Sequence, residues 1–231
     1  MIKIKKIKDM GRTKNHWLDS LHHFSFGEYH DNMNVSYGPL RVLNDDIIAP
    51  QSGFEEHSHR DMEIITYMVD GKLTHKDNIT EEERSIERGD IQYMSAGQGI
   101  VHSEFNRGQN PVRLLQIWII PNEYGLNPIY AEKKFHWEDR VNKWMLMVSP
   151  EDGVAPVKLF QDVEIYALYL EKGNKISFPM KNHNKSFYLT VIEGDGRINE
   201  QYIRTHQDAY GTESFELEPA HENLHVLLFV L

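Results

Sequence analysis

Two triplets in the first half of the chain carry residue types that bind metal ions. They are His57-Ser58-His59 and, in a later segment, His102-Ser103-Glu104. On a β-strand, residues separated by one point to the same face and sit roughly 6.5 Å apart. Each triplet therefore presents two donors in one direction, and two such strands facing each other gather three imidazoles and a carboxylate around a point. That donor set suits Fe, Mn, Ni, Cu or Zn. An octahedral ion so held keeps two positions for substrate and dioxygen, whereas a closed tetrahedral set would be structural zinc. The chain has no cysteine, so thiolate sites, disulfides and cysteine nucleophiles are excluded and any metal is held by nitrogen and oxygen.

The elements around the triplets read as short strands. Gly53 opens the central stretch, and Met62 to Val69 has apolar groups on both faces, as a strand covered on both sides does. Asp70-Gly71 signals a hairpin, and the polar segment Leu73 to Glu87 reads as an outer hairpin. Gly97 and Gly99 precede His102, where close backbone approach or positive φ is expected. Upstream, Met1 to Lys8 alternates apolar and basic residues like an edge strand. Asn15 to Gly27 reads as an irregular connection whose His16, His22 and His23 are packing or surface residues. Leu40 to Ile48 reads as a strand interrupted by a turn at Asn44-Asp45-Asp46.

Downstream of a strand from Leu114 to Pro121, the segment Tyr130 to Glu138 is helix-compatible and is the expected crossing between domains. Short strands resume from Lys143 with turn signals at Asp152-Gly153, Lys172-Gly173-Asn174 and Gly194-Asp195-Gly196. Phe187 to Gly196 echoes Glu63 to Gly71, each a strand ending in an acid-glycine turn. In that alignment His57 and His59 fall opposite the region around Lys181 to His183, which lacks paired histidines. The pattern implies an all-β duplication that keeps one metal site, with domains at 1–138 and 139–231.

A chain of 231 residues with 40% hydrophobic content is long enough for one or two packed cores. Its 35 acidic residues against 25 Lys and Arg leave a charge of −10, which disfavours direct nucleic-acid or anionic-lipid binding. The longest apolar runs, Leu114 to Pro121 and Val226 to Leu231, are far below the ~20 residues of a membrane helix. No signal-peptide pattern opens the chain, and a cytoplasmic monomer is the expectation.

His57-Ser-His59-Arg-Asp-Met-Glu63 resembles the first cupin motif, and Gly89 to Gly97 through His102 and Asn106 resembles the second. His-x-His-Arg-x-x-Glu followed by Met-Ser-Ala-Gly-x-Gly-Ile-x-His-Ser-Glu is similar to the pirin family. Trp17-Leu-Asp-Ser20, Phe24-Ser-Phe26, Leu40 to Asp46 and Leu115-Gln-Ile-Trp-Ile119 are similar to bacterial pirins with quercetinase activity. The resemblance implies a bicupin, two antiparallel β-barrel or jelly-roll domains in one chain. It also implies a metal in the first, held by His57, His59, His102 and Glu104. The general cupin pattern would make Glu63 the carboxylate ligand; the pirin pattern gives that place to Glu104 and leaves Glu63 in the outer shell, orienting a ligand histidine. The family's site holds iron, so one Fe(II) is implied, with Zn, Mn, Ni, Co or Cu suited to the same donors.

The implied activity is that of a quercetin 2,3-dioxygenase, which opens the central ring of a flavonol with dioxygen and releases carbon monoxide. Glu104 is then the catalytic residue, ligand and base in turn, and Phe24, Phe26 and Trp118 are candidate apolar walls for a flat aromatic substrate. The alternative is a pirin of nuclear type, an iron-binding redox sensor that acts through a protein partner without turnover.

Overall fold

A computed structural model of the chain describes residues 1–180 and 182–231. Nearly all regular structure is strand. The helical elements among the described residues are two short 3-10 turns, Ile7–Asp9 and Trp137–Arg140, and none is long and apolar enough to cross a membrane. The chain forms two compact units. One comprises Met10–Phe135 with Leu159–Gln161, and the other Met1–Asp9, His136–Lys158 and Asp162–Leu231. Against a division at 138/139, the main boundary falls at 135/136, the first nine residues belong to the C-terminal unit, and residues 159–161 return to the N-terminal one.

The strands in chain order are β1 (Lys3–Lys5), β2 (Gly11–Lys14), β3 (Leu18–His22), β4 (Leu40–Ile48), β5 (Ser52–His59), β6 (Glu63–Asp70), β7 (Lys72–Asp77) and β8 (Arg84–Glu87). They continue with β9 (Ile91–Ser95), β10 (Ile100–Asn106), β11 (Val112–Ile119), β12 (Ile129–Lys133), β13 (Met145–Pro150), β14 (Val157–Leu159) and β15 (Glu164–Leu170). The last are β16 (Ile176–Phe178), β17 (Phe187–Glu193), β18 (Asp195–Ile198), β19 (Gln201–Arg204), β20 (Asp208–Gly211), β21 (Phe215–Pro219) and β22 (Leu224–Val230).

In the N-terminal unit a seven-stranded sheet runs β12-β9-β6-β11-β4-β3-β2 and a four-stranded sheet runs β5-β10-β7-β8. Ile48, Met68, Val112 and Leu114 of the first pack against Leu73 and Ile86 of the second. These are two stacked antiparallel sheets rather than a closed barrel. The alternation of β4, β6 and β11 puts one set of side chains between the sheets and the other outside.

The C-terminal unit repeats this arrangement as β1-β20-β17-β22-β15-β13-β14 with β16-β21-β18-β19. Position by position, β17 stands where β6 does and β22 where β11 does. The chain's first strand, β1, pairs with β20 and occupies the edge that β12 occupies in the N-terminal unit. The pair β16 and β21 corresponds to β5 and β10, so the counterpart of His57 and His59 is Ile176–Phe178 rather than the region around Lys181 to His183. Lys181 itself lies outside the described residues.

Four local readings change. Asp70-Gly71 does not close a hairpin: β6 and β7 lie in different sheets, and Gly71, at φ +81, turns the chain from one to the other. Asn44-Asp45-Asp46 forms no turn, because β4 runs unbroken against both β3 and β11. The Asn15 to Gly27 segment contains β3, paired on both sides. The helix-compatible run from Tyr130 starts instead as β12, an edge strand on β9. In each case sheet pairing satisfies the backbone groups and overrides a local preference.

Candidate metal centre

β5 and β10 are antiparallel neighbours with His102 opposite His57, and a register shift follows between His102 and Glu104. The shift is a bulge, and it re-aims the second triplet. The three imidazole rings meet: centroids are 4.8 Å apart for His57 and His59, 4.4 Å for His57 and His102, and 4.9 Å for His59 and His102. Their donor atoms lie within 4.8 Å of one another. Glu104 joins a second group, with His75 and His102, under the same limit. His102 is common to both groups, and Glu104 is grouped with it and His75 rather than with His57 and His59.

The protonation states suit a metal. Burial pushes His102 down to about 3, and the neighbouring His57 and His75 push it the same way. Burial also lowers His59 to about 4, with further depression from His102 and His57. Both rings are neutral at physiological pH and present lone pairs. The Nδ1–H of His57 donates to the Glu55 carbonyl at 2.7 Å, which leaves Nε2 as its donor toward an ion. Both ring nitrogens of His102 are buried and have no hydrogen-bond partner among the described residues, an arrangement that costs about 1–3 kcal/mol for each group unless something binds there.

Glu104 is fully buried and held by three side chains. Thr66 Oγ1 donates to its Oε1 at 3.0 Å, Gln92 Nε2 donates to the same oxygen, and Gln116 Nε2 donates to Oε2 at 2.8 Å. Those three residues sit in one row across the inner face of the large sheet. Thr66 pairs with Gln116 and Gln92, and Gln116 pairs with Asn44, which pairs with His22. His22 donates from Nδ1 to Asn44 Oδ1 at 2.9 Å and accepts from the Thr13 hydroxyl at 2.8 Å on Nε2. Burial lowers its pKa against the opposing pull of Asn44.

Sequence reasoning missed this polar row. The available signal was polar residues at inward positions of strands whose other inward positions are apolar, Asn44 and Asp46 in β4, Gln92 in β9 and Gln116 in β11. It missed His75 and Asp77 as well, which it placed on a polar outer hairpin. Both are buried, His75 bonds from Nε2 to Asp77 Oδ2 at 2.9 Å, and its ring stacks on Tyr130 at 4.6 Å.

Glu63, expected in the outer shell, anchors a neighbouring segment of the chain. Its carboxylate accepts from the Tyr93 hydroxyl at 2.9 Å and from the backbone N–H groups of Phe160 and Gln161 at 2.8 and 3.0 Å. It clasps the returning segment 159–161, and among the described residues it is in neither donor cluster.

A cavity of about 440 Å³ opens beside the imidazoles. Its walls include Leu18, Phe26, Phe54 and Trp118, its polar side includes Ser20, His22, Asn44, Asp46 and Gln116, and His57, His59 and Glu104 reach it. Phe26 and Trp118 meet edge to face at 5.5 Å, and Trp118 meets His59 in the same way at 4.9 Å. The expected wall residue Phe24 is instead buried in the core and does not line the cavity. Asp46 is 2% exposed. Burial raises its pKa to about 7 against the Ser20 hydrogen bond, and the charges of Asp45 and Glu104 push it up further.

Two stacked-sheet units of one strand order, with an imidazole cluster in the first and apolar side chains at the matching place in the second, define a bicupin. The family model described as Pirin matches residues 4–119, and the one described as the quercetinase C-terminal cupin domain matches residues 146–231. The chain belongs to the pirin family. It is 38% identical over 200 residues to a protein of Escherichia coli named quercetin 2,3-dioxygenase, an alignment covering 86% of this chain and 84% of the relative. A pirin-like protein of Caulobacter vibrioides is also 38% identical, over 86% of this chain and 85% of its own. Among solved structures, Escherichia coli YhhW superposes with a TM-score of 0.91 at 34% identity, covering 100% of this chain and 97% of that one. The structure of bacterial pirin YhhW in complex with nickel(II) gives 0.90 at 34% identity over 100% and 99%.

Proposed function

We propose that the chain is a flavonol-cleaving dioxygenase whose single divalent transition metal is held by His57, His59, His102 and Glu104. The observation that carries the reading is the juxtaposition of a neutral three-histidine cluster with an apolar, aromatic-walled cavity large enough for a flat three-ring substrate. Relatives named quercetin 2,3-dioxygenase support it. Iron(II) is the ion proposed first; the nickel(II) complex of YhhW supports a site that also accepts a later first-row ion.

When bound, the metal supplies Lewis acidity that lowers the pKa of the substrate's 3-hydroxyl and brings it beside dioxygen. The chain's own part begins with the cavity, where Phe26, Phe54 and Trp118 enclose the aromatic rings and exclude water. Glu104 takes the 3-hydroxyl proton, and Gln116, Gln92 and Thr66 hold the carboxylate in position for that transfer. The overall reaction consumes one dioxygen, opens the central ring and yields a depside and carbon monoxide.

The test is purification with elemental analysis, followed by oxygen uptake and carbon monoxide release with quercetin. Stoichiometric metal and equimolar consumption of quercetin and oxygen are expected, with both lost in His57→Ala. Turnover unchanged in a His57→Ala protein free of metal would overturn the reading. Metal-replete protein that turns over no flavonol, yet changes affinity for a protein between ferrous and ferric states, would replace it with the sensor.

A further inference from the structure

Adjacent aspartates in the middle of β4 have opposite fates. Asp45 points outward and is paired with Arg113, Nε to Oδ1 at 2.8 Å and Nη2 to Oδ2 at 2.6 Å. Asp46 points inward, between the sheets, where the row it belongs to is Ser20 on one side and Leu114 on the other. Ser20 bonds to it, but its Oδ1 is buried and has no partner among the described residues. The same side chain lines the cavity that His57, His59 and Glu104 reach. A buried carboxyl oxygen without a partner costs stability, and Leu114 beside it shows that an apolar residue is accommodated on this face. An acid with one unpartnered oxygen, on a residue that lines a binding cavity, is what a site built to recognise a polar group on its ligand looks like.

We infer that Asp46 is a specificity-determining residue, whose free carboxyl oxygen hydrogen-bonds a hydroxyl group of the bound aromatic ligand other than the one directed at the metal. The inference rests on the proposed flavonol reading and names the feature of the substrate that the cavity selects. Ser20 bonds the carboxyl group and Asn44 lies on the same strand face, so this side of the cavity is polar where Leu18, Phe26, Phe54 and Trp118 are apolar. The ligand class is therefore a planar aromatic that carries a further hydroxyl besides its chelating pair. Asp46 can serve whether protonated or not, because a hydroxyl both donates and accepts.

The experiment measures dissociation constants by fluorescence quenching in anaerobic, metal-loaded protein. It uses two probes, quercetin, which carries hydroxyls on its outer rings, and 3-hydroxyflavone, which has the chelating 3-hydroxyl and 4-carbonyl alone. In Asp46→Leu the quercetin constant is expected to rise about tenfold or more, while that of 3-hydroxyflavone stays level or falls. Asp46→Asn, which keeps a donor and an acceptor, should hold quercetin within about threefold of the parent. Asp46→Ala carries the same comparison should the leucine variant not fold, and metal content is measured alongside and should not change. Equal losses for both probes, or no change for either, would overturn the inference while leaving the proposed function standing. If the parent protein binds neither probe, both fall together.

Discussion

The two nitrogens of His102 and the two oxygens of Glu104 show how differently neighbouring donors are treated in this protein. The carboxylate is held by Thr66, Gln92 and Gln116, while the imidazole is buried without partners. Gln116→Leu removes the one donor to Glu104 Oε2 at nearly constant volume. It should lower metal affinity by about 10–100-fold, the scale on which outer-shell partners act, as read by competition with a chelator. Titration gives a second expectation for the metal-free protein. His59 and His102 titrate near 4 and 3 when folded and near 6.5 when unfolded. The unfolded chain therefore binds more protons between those values, so stability is present above pH 6.5 and is lost as pH falls toward 4. His102→Asn should flatten that slope in denaturant midpoints measured at pH 7.5 and 4.5; an unchanged slope counts against neutral buried rings. Asp46 has the opposite sign. Its folded value near 7 means that stability falls as pH rises from about 4 to 7, by at most on the order of 4 kcal/mol. Asp46→Asn should gain stability relative to the parent on going from pH 4.5 to pH 8.

β5 and β10 are the elements that make the site, and their contact depends on a glycine. A Cβ on Gly53 would overlap the Glu104 carbonyl oxygen and lie 2.7 Å from Phe105 Cα, so the strands approach more closely than any larger residue allows. The approach falls just past the bulge that aims Glu104. Gly53→Ala is expected to destabilise the N-terminal unit by roughly 1–3 kcal/mol and to lower bound metal at the same time, measured by thermal melting and elemental analysis on one preparation. Loss of stability with full metal content would separate the strand contact from the site. The spacing of the two triplets was legible in sequence because a strand's period of two is local. The partners of Glu104 were not, because Thr66, Gln92 and Gln116 come from three strands whose adjacency is set by sheet order. Asn44 and Asp46 even mimicked a turn, since the same polar residues that favour turns also line polar positions inside a sheet.

At the scale of the molecule, the two units share one strand order and differ in what fills the inner face. Where the N-terminal unit gathers His57, His59 and His102, the C-terminal unit has Phe178 and Phe215 on β16 and β21, stacked at 5.8 Å, with Trp144 edge-on at 5.1 Å from Phe178. That unit has an apolar cluster reaching from Ile2 to Val230. Metal binding should therefore slow hydrogen exchange in β5 and β10 and leave β16, β17 and β21 unchanged, as peptide-resolved mass spectrometry would read. Ligand-linked stabilisation of about 4 kcal/mol accompanies metal at 1,000 times its dissociation constant. Equal protection gains in both units would contradict a single site in the first.

The sequence by itself determined the all-β class, the duplication, the family and the three histidines, because strand periodicity and turn chemistry act between near neighbours. The preference for Glu104 over Glu63 came only from the family's pattern. The tertiary structure decided the rest: the swap of the first strand into the C-terminal unit, the clasp of Glu63 on residues 159–161, and the burial of His75 with Asp77. It also placed the polar row from His22 to Gln92 across five strands. Each joins residues far apart in the chain, and their meeting depends on which strands pair and which face is covered, quantities set by the packing of whole sheets rather than by any local run of residues.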